Sequence, residues 1–173
     1  MIKIEIKVES LNHKSFGPYG KILGPSENKP TFSGDEFDLW FGIDNVESDK
    51  DIAQLCWFEV KKKRPFICDK VERHLKCSET IIPMSGQSII IVGLSKNDAD
   101  DTDSLDLKTI KAFYLGGSRG INLKPGVWHW IPYPVSDEAH FVLILREGTD
   151  KDDLEIMDLN EEFDLSIKFV LEK

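Results

Sequence analysis

Apolar and polar residues alternate along much of the chain, which is the period-two pattern of half-buried β-strands. The alternation is clearest at residues 2–8 and 164–171. Residues 88–94 form a nearly continuous apolar run, which predicts a central strand buried on both faces. The further predicted strands are 53–60, 66–73, 79–83, 120–123, 128–131 and 140–146. Many short strands at close spacing predict an antiparallel sandwich or barrel.

One segment, 103–115, has apolar residues at helical spacing. Asp103 or Ser104 can cap its first turn, and Gly116-Gly117 follows its last turn. The apolar stripe consists of Leu107, Ile110 and either Phe113 or Tyr114. We therefore expect one short helix inserted among the strands.

Length and charge narrow the class of protein. A chain of 173 residues suits one domain, so we expect a single domain over 1–173. The net charge of −9 argues against a nucleic-acid partner or an anionic membrane surface, because phosphate groups are bound by clustered Lys and Arg. A small anionic substrate stays open, since a pocket can be locally positive.

Cysteine usage and the first residues indicate the compartment. The three cysteines are odd in number and have no zinc-finger spacing, which favours buried reduced thiols. The alternating start of the chain is typical of a strand and not of a signal peptide. No apolar run has the length of a membrane span. We expect a cytoplasmic protein.

The residues around 72–79 form the first candidate site. Glu72 and His74 are two apart, so on a strand they project from the same face. Glu79 begins the next predicted strand, and hairpin pairing would bring its carboxylate near His74. An imidazole and one or two carboxylates can hold a divalent metal, although Glu72 is the weaker ligand. The alternative is that these carboxylates form surface ion pairs with Arg73 and Lys76.

A second group follows Pro125-Gly126, where His129 begins a strand after Val127-Trp128. If this strand lies beside the first group, the set becomes His74, His129, Glu79 and Glu72. Lys124, beside the turn, could meet a substrate carboxylate. The remaining residues are assigned no role in chemistry: Arg73 is expected on the surface, Trp128 and Trp130 in the core or a pocket wall, and His13 and His140 in structural positions.

These segments resemble the cupin motifs. Residues 72–86 follow His-x-His-x(3,4)-Glu-x(6)-Gly with Glu72 in place of the first His, and residues 125–129 loosely follow Pro-x-Gly-x-x-His. The chain is more specifically similar to the ureidoglycolate lyases, also called ureidoglycolate hydrolases. The stretches that carry this likeness are Phe16–Gly20, Glu72–His74, Ile81–Gly86, Ile110–Phe113, Arg119–Asn122 and Gly126–His129.

The resemblance implies a cupin-type antiparallel β-barrel, a jelly-roll-like double-stranded β-helix, often as a homodimer. It implies cleavage of (S)-ureidoglycolate to glyoxylate and urea in purine catabolism, which is part of allantoin degradation, and a divalent metal with nickel, zinc or manganese as candidates. No organic cofactor is expected. We expect His74, Glu79 and His129 to hold the metal, and Glu72, His129 and Lys124 to act on the substrate.

Three positions depart from the family pattern and leave the substrate open. Leu75 stands where the family has Pro, Glu79 where it has Gln, and Trp130 where it often has a second His. Glu79 makes the site more like that of a metal-binding cupin. Two alternatives therefore stand beside the lyase: a cupin enzyme for another small acid or sugar, and a non-catalytic cupin that binds a small molecule.

Overall fold

The structure is a computed structural model that describes residues 2–25, 29–61, 63–96 and 104–172. The strands are β1 (Ile2–Ser10), β2 (Gly20–Leu23), β3 (Phe32–Ser33), β4 (Asp38–Leu39), β5 (Ala53–Val60), β6 (Ile67–Cys68), β7 (Lys70–Arg73), β8 (Glu79–Ser85), β9 (Ser88–Ser95), β10 (Leu105–Leu115), β11 (Gly120–Leu123), β12 (Trp128–His129), β13 (Tyr133–Pro134), β14 (Ala139–Arg146), β15 (Glu155–Asp158) and β16 (Leu165–Val170). The helices are α1 (His13–Phe16), α2 (Thr149–Asp152) and α3 (Leu159–Phe163), and none of them is long and apolar enough to cross a membrane.

Two large sheets form the molecule. The first runs in the order β15-β7-β12-β9-β10-β1-β16-β6, with β13 also paired to β9, and the second runs β2-β11-β8-β14-β5. A separate hairpin joins β3 and β4. The pairings of β1 with β10 and β16 are parallel, and the other pairings between described strands are antiparallel. The predicted all-β class with mainly antiparallel pairing is confirmed.

The centre of the larger sheet separates two hydrophobic cores. On β9, Ile90 and Val92 belong to one core, while Ile89 and Ile91 belong to the other. Successive strand residues point to opposite faces, so a strand between two cores needs apolar residues at consecutive positions. This explains the continuous apolar run at 88–94, and the predicted central strand is confirmed.

The predicted helix at 103–115 is wrong. Residues Leu105–Leu115 form strand β10, which pairs with β9 and β1, and Asp103 lies outside the described residues. Phe113 and Leu115 enter one core and Ala112 the other. Because both faces of β10 are buried, its apolar residues include positions three and four apart as well as alternate positions, and this imitates a helical stripe. The short helices lie elsewhere, the first of them, α1, at His13–Phe16.

Candidate active site

A cavity of about 260 Å³ opens between the two sheets and contains the residues singled out from the sequence. Its lining residues are Phe58, Glu72, His74, Glu79, Ile81, His129, Trp130, Ile131, Pro132, Leu143, Leu145, Thr149, Asp150 and Leu154. The ionisable side chains come from β7 and the residue after it, from β12, from the start of β8 and, for Asp150, from α2. Half of the apolar side chains come from β5, β8 and β14, and the other half from the connections after β12 and before β15.

Two neighbouring strands of the larger sheet bring Glu72 and His129 together. β12 pairs antiparallel with β7, and His129 lies directly opposite Glu72. Paired residues share a face, so both side chains enter the cavity, and His129 Nε2 is 3.8 Å from Glu72 Oε1. Their chain neighbours Trp128 and Arg73 point to the other face, where Trp128 belongs to the second core.

Glu79 reaches the same point from the facing sheet. The sequence predicted that a hairpin would carry Glu79 to His74, but β7 and β8 lie in different sheets and do not pair. Glu79 instead lies opposite Leu123 on β11, in the second sheet. Its Oε2 atom is 2.6 Å from His129 Nε2 and 3.7 Å from His74 Nε2. The predicted neighbours are therefore close, for a different topological reason.

His74 is held by the connection that precedes β15. Its Nδ1 atom lies 2.6 Å from the backbone oxygen of Asp153. The Asp153 carboxylate accepts hydrogen bonds from the backbone N–H groups of Leu75, at 2.8 Å, and Lys76, at 3.1 Å. Asp153 is buried, and no local motif indicates its role because it lies 79 positions from His74. It fixes both the imidazole and the turn that follows.

Both imidazoles are held in the same way, with Nδ1 against a backbone carbonyl oxygen. Nδ1 of His129 lies 2.9 Å from the backbone oxygen of Val127, as Nδ1 of His74 does from that of Asp153. A carbonyl oxygen only accepts hydrogen bonds, so each Nδ1 carries the proton. The Nε2 atoms are therefore the ones directed at the carboxylates. Metal-binding histidines commonly have one ring nitrogen fixed by a carbonyl group in this way.

Burial and mutual charge shift the pKa values of three of these groups. Burial raises the pKa of Glu72; the charge of His129 opposes the shift and that of Glu79 adds to it. Burial would also raise the pKa of Glu79, but the charge of His129, whose Nε2 lies 2.6 Å away, outweighs it and holds the pKa below its ordinary value. Burial would lower the pKa of His129, whereas Glu79 and Glu72 raise it to about 9.

This chain is similar in sequence to proteins of one known family. The family model described as ureidoglycolate lyase matches residues 3–166. The chain belongs to the ureidoglycolate lyase family. Curated relatives include the ureidoglycolate lyase of Salmonella typhimurium strain LT2, 25% identical over 171 residues, which cover 91% of this chain and 98% of the relative. That of Salmonella enteritidis PT4 is 24% identical over 169 residues, with the same coverage.

Two solved structures share part of the strand arrangement. An oxalate decarboxylase structure aligns with a TM-score of 0.41 and 15% identity, over 63% of this chain and 24% of its own. RmlC from Streptococcus suis in complex with dTDP-D-xylose aligns with a TM-score of 0.36 and 11% identity, over 55% and 44%. Membership of the ureidoglycolate lyase family indicates a lyase enzyme.

The donor set fits a divalent metal. Glu72, His74 and His129 each offer a ligand atom within 4.8 Å of the others. Glu79 Oε2 and His129 Nε2 are buried, and neither makes a well-oriented hydrogen bond to any described residue despite their 2.6 Å approach. Imidazole nitrogens and carboxylate oxygens suit zinc, nickel or manganese. No Lys or Arg is among the described lining residues, so the charge of the carboxylates is offset by the histidines alone.

Two cationic residues lie away from this cavity. Lys124 Nζ donates to the backbone oxygens of Gly17 and Pro18, and the lysine does not line the cavity. The structure therefore does not bring Lys124 to the other predicted site residues. Arg73 is on the opposite face of β7, as expected, but the predicted surface position is wrong because Arg73 is buried. It pairs with Glu155 at 2.6 Å and lies over the Trp128 ring.

The apolar side of the cavity was not predicted as part of the site. Phe58, Leu143 and Leu145 line it from β5 and β14, and Leu154 lines it from the connection before β15. Trp130 lines it too, in agreement with its expected place in the core or a wall. Strand alternation indicated which residues point inward, but it gave no means of placing β5 and β14 beside the ionisable groups.

Proposed function

We propose that the chain is a ureidoglycolate lyase-type enzyme that cleaves a carbon–nitrogen bond of ureidoglycolate to give glyoxylate and urea. The observation that carries the proposal is the convergence of two fixed imidazoles and two carboxylates at one end of a cavity between the sheets. Family membership supports the same reaction class. A chance pair of surface residues would not have both Nδ1 atoms fixed by backbone carbonyl groups.

The reaction requires one proton to leave an oxygen and one to reach a nitrogen. Ureidoglycolate carries a hydroxyl group and a ureido nitrogen on the same carbon. When the hydroxyl proton leaves, its electron pair forms the C=O bond of glyoxylate, and the C–N bond breaks with its electrons on nitrogen. Protonation of that nitrogen completes urea.

Glu72 is the base in this proposal. Its raised pKa favours proton uptake from a hydroxyl group, and its carboxyl group remains partly accessible from the cavity. Once protonated, Glu72 can return the proton to the departing nitrogen. His129 lies opposite Glu72 and holds this carboxylate in place through its imidazole; in the metal-free protein it also contributes positive charge when it is protonated.

His74, Glu79 and His129 would hold a divalent metal, with nickel, zinc and manganese as candidates. When bound, such an ion supplies positive charge for the carboxylate and hydroxyl oxygens of the substrate and lowers the hydroxyl pKa. Glu79 suits the ligand role better than Glu72 does, because it is buried between the two imidazole nitrogens.

The test measures bound metal and the release of urea and glyoxylate by the purified protein. Glu72→Gln is expected to lower kcat by about 100-fold or more with metal retained, since general-base catalysis contributes on that order. Glu79→Ala, which removes the ligand atom without creating the family's Gln, is expected to lose metal as well as activity. Glu59→Gln is the matched control, on an exposed carboxylate of β5 outside the cavity. Full activity and metal content in both His74→Ala and His129→Ala would refute the site.

The homodimer is a further part of the proposal. β5 ends the five-stranded sheet and presents exposed Leu55 and Trp57. A sheet edge with exposed apolar residues is a surface that a second chain can cover. Light scattering of the purified protein would measure its mass, and a monomer at micromolar concentration would contradict the dimer.

A further inference from the structure

The cavity is much less polar than the ligand proposed for it. Ureidoglycolate has a carboxylate, a hydroxyl and a ureido group, and it has no apolar group larger than one CH. Beyond the ionisable cluster, the cavity is lined largely by carbon. These side chains are Phe58, Ile81, Trp130, Ile131, Pro132, Leu143, Leu145 and Leu154.

Four of these side chains, Phe58, Ile81, Leu143 and Leu145, lie on adjacent strands of the second sheet, and the other four come from the connections after β12 and before β15. Ile81 of β8 lies opposite Leu143 of β14, and Phe58 of β5 lies opposite Phe141 of β14. Leu143 and Leu145 alternate with Val142 and Ile144, whose side chains point to the other face of the sheet. The apolar wall therefore consists of the inward positions of three adjacent strands together with Trp130, Ile131, Pro132 and Leu154.

The wall begins close to the ionisable cluster. Ile81 is two residues after Glu79 on the same strand and the same face, which places its Cα about 7 Å along the strand. A ligand whose reacting carbon lies beside Glu72 and His129 would bring its next substituent against this wall. A ureido group there would lose its hydrogen bonds to water without replacement by the wall, which disfavours binding.

We propose that this site accepts, in preference to ureidoglycolate, an α-hydroxy-N-acylglycine whose acyl group is an aryl or branched alkyl group. This inference rests on the proposed lyase reaction and changes only the leaving group. The hydroxyl proton passes to Glu72, the C=O bond of glyoxylate forms, and the C–N bond breaks with its electrons on nitrogen. The nitrogen then takes a proton, and the products are glyoxylate and an apolar primary amide.

Binding of two unreactive ligands tests the apolar wall without catalysis. N-benzoylglycine and N-carbamoylglycine share the glycine carboxylate but lack the hydroxyl group, so neither can be cleaved by this route. Calorimetry with the metal-loaded protein is expected to give at least tenfold tighter binding of N-benzoylglycine, because one methylene in an apolar pocket already changes selectivity about tenfold or more. Equal binding of the two, tighter binding of N-carbamoylglycine, or no binding of either would overturn the inference.

Substitutions in the wall locate this preference. Leu143→Asn is expected to remove most of the preference for the benzoyl ligand, and the adjacent Ile144→Asn, on the opposite face, is the control that should keep it. Leu154→Ser is a second wall variant at a partly exposed position, which makes misfolding less of a concern. An unchanged preference in both wall variants would overturn the assignment of this wall.

Glyoxylate release separates this inference from the proposed function. With α-hydroxy-N-benzoylglycine, kcat/KM is expected to exceed that with ureidoglycolate by tenfold or more. Faster cleavage of ureidoglycolate would overturn the inference and leave the proposed function intact. Cleavage of neither compound, with tight binding of N-benzoylglycine, would overturn the lyase proposal and the substrate assignment with it, while the apolar binding wall would stand.

Discussion

The described part of the chain contains two groups of histidine and glutamate side chains. Their ligand atoms are similarly spaced, but the two groups differ in burial. The inner group is Glu72, His74 and His129, and the outer group is Glu59, Glu138 and His140. In each group the ligand atoms lie within 4.8 Å of one another. The outer group follows from strand pairing, because His140 lies opposite Glu59.

Burial separates the two groups. Both histidines of the inner group are buried, and Glu79 adds a buried carboxylate beside the half-buried one of Glu72. The outer carboxylates are exposed, and His140 is half-buried, with its Nδ1 atom 2.7 Å from Ser85 Oγ and its ring stacked on Trp57. Exposed carboxylates are hydrated and screened by salt, so a cation gains little from them. Spacing alone therefore does not define a metal site.

The largest expected effect follows from removing one imidazole of each group. His129→Ala should reduce metal affinity by more than the roughly 100-fold that loss of an outer hydrogen-bond partner produces. His140→Ala should leave the affinity unchanged, because it lies in the outer group. Chelator competition measures both. Equal losses in the two variants would remove the distinction between the groups.

A smaller effect is expected at Asp153, which supports the inner group without touching the cavity. Asp153→Ala removes the acceptor for the N–H groups of Leu75 and Lys76 but keeps the carbonyl that fixes His74. Metal affinity should fall about 10- to 100-fold. Asp153→Asn keeps one acceptor oxygen and should recover part of the loss. If both variants bind metal equally well, Asp153 acts on stability alone.

The smallest effect is expected in how the unfolding free energy of the metal-free protein depends on pH. His129 has its pKa raised from 6.5 to about 9 in the folded state, mainly by Glu79 against the opposing effect of burial. The protonated pair therefore contributes full stability below pH 6.5 and loses it as the pH rises to about 9. The unfolding free energy should fall by at most about 1.4 kcal/mol per pH unit.

Urea unfolding between these pH values measures this slope. In His129→Gln the imidazole is gone, so the fall assigned to it should vanish. An identical slope in the two proteins would show that another group causes the dependence. His140→Ala serves as the control from the outer group and should keep the slope of the parent protein.

The sequence identified the residues of the site more accurately than the strand pairings that bring them together. Glu72 and His74 lie on one side because they are two apart, and His129 joins them because β12 pairs with β7. Glu79 was also predicted, but through a hairpin that does not exist, since β7 and β8 belong to facing sheets. Spacing along the chain could not distinguish a turn within one sheet from a passage between two.

The error over 103–115 and the omission of Asp153 have related causes. β10 is buried on both faces, so its apolar pattern no longer distinguishes a strand from a helix. Asp153 fixes His74 through a backbone oxygen, and every residue type has that atom. The local sequence does not show how many faces of a strand are buried, nor which residue a backbone group contacts.

The position of Glu79 on the sheet opposite Glu72 and His129 has a mechanical consequence. An ion held by Glu79 from one sheet and by His74 and His129 from the facing side of the cavity would fasten the two sheets to each other. Separating the sheets would then require releasing the ion, so the midpoint of thermal unfolding would rise with the logarithm of free metal concentration. While the ion is bound, access to the cavity would depend on how far the two sheets can separate.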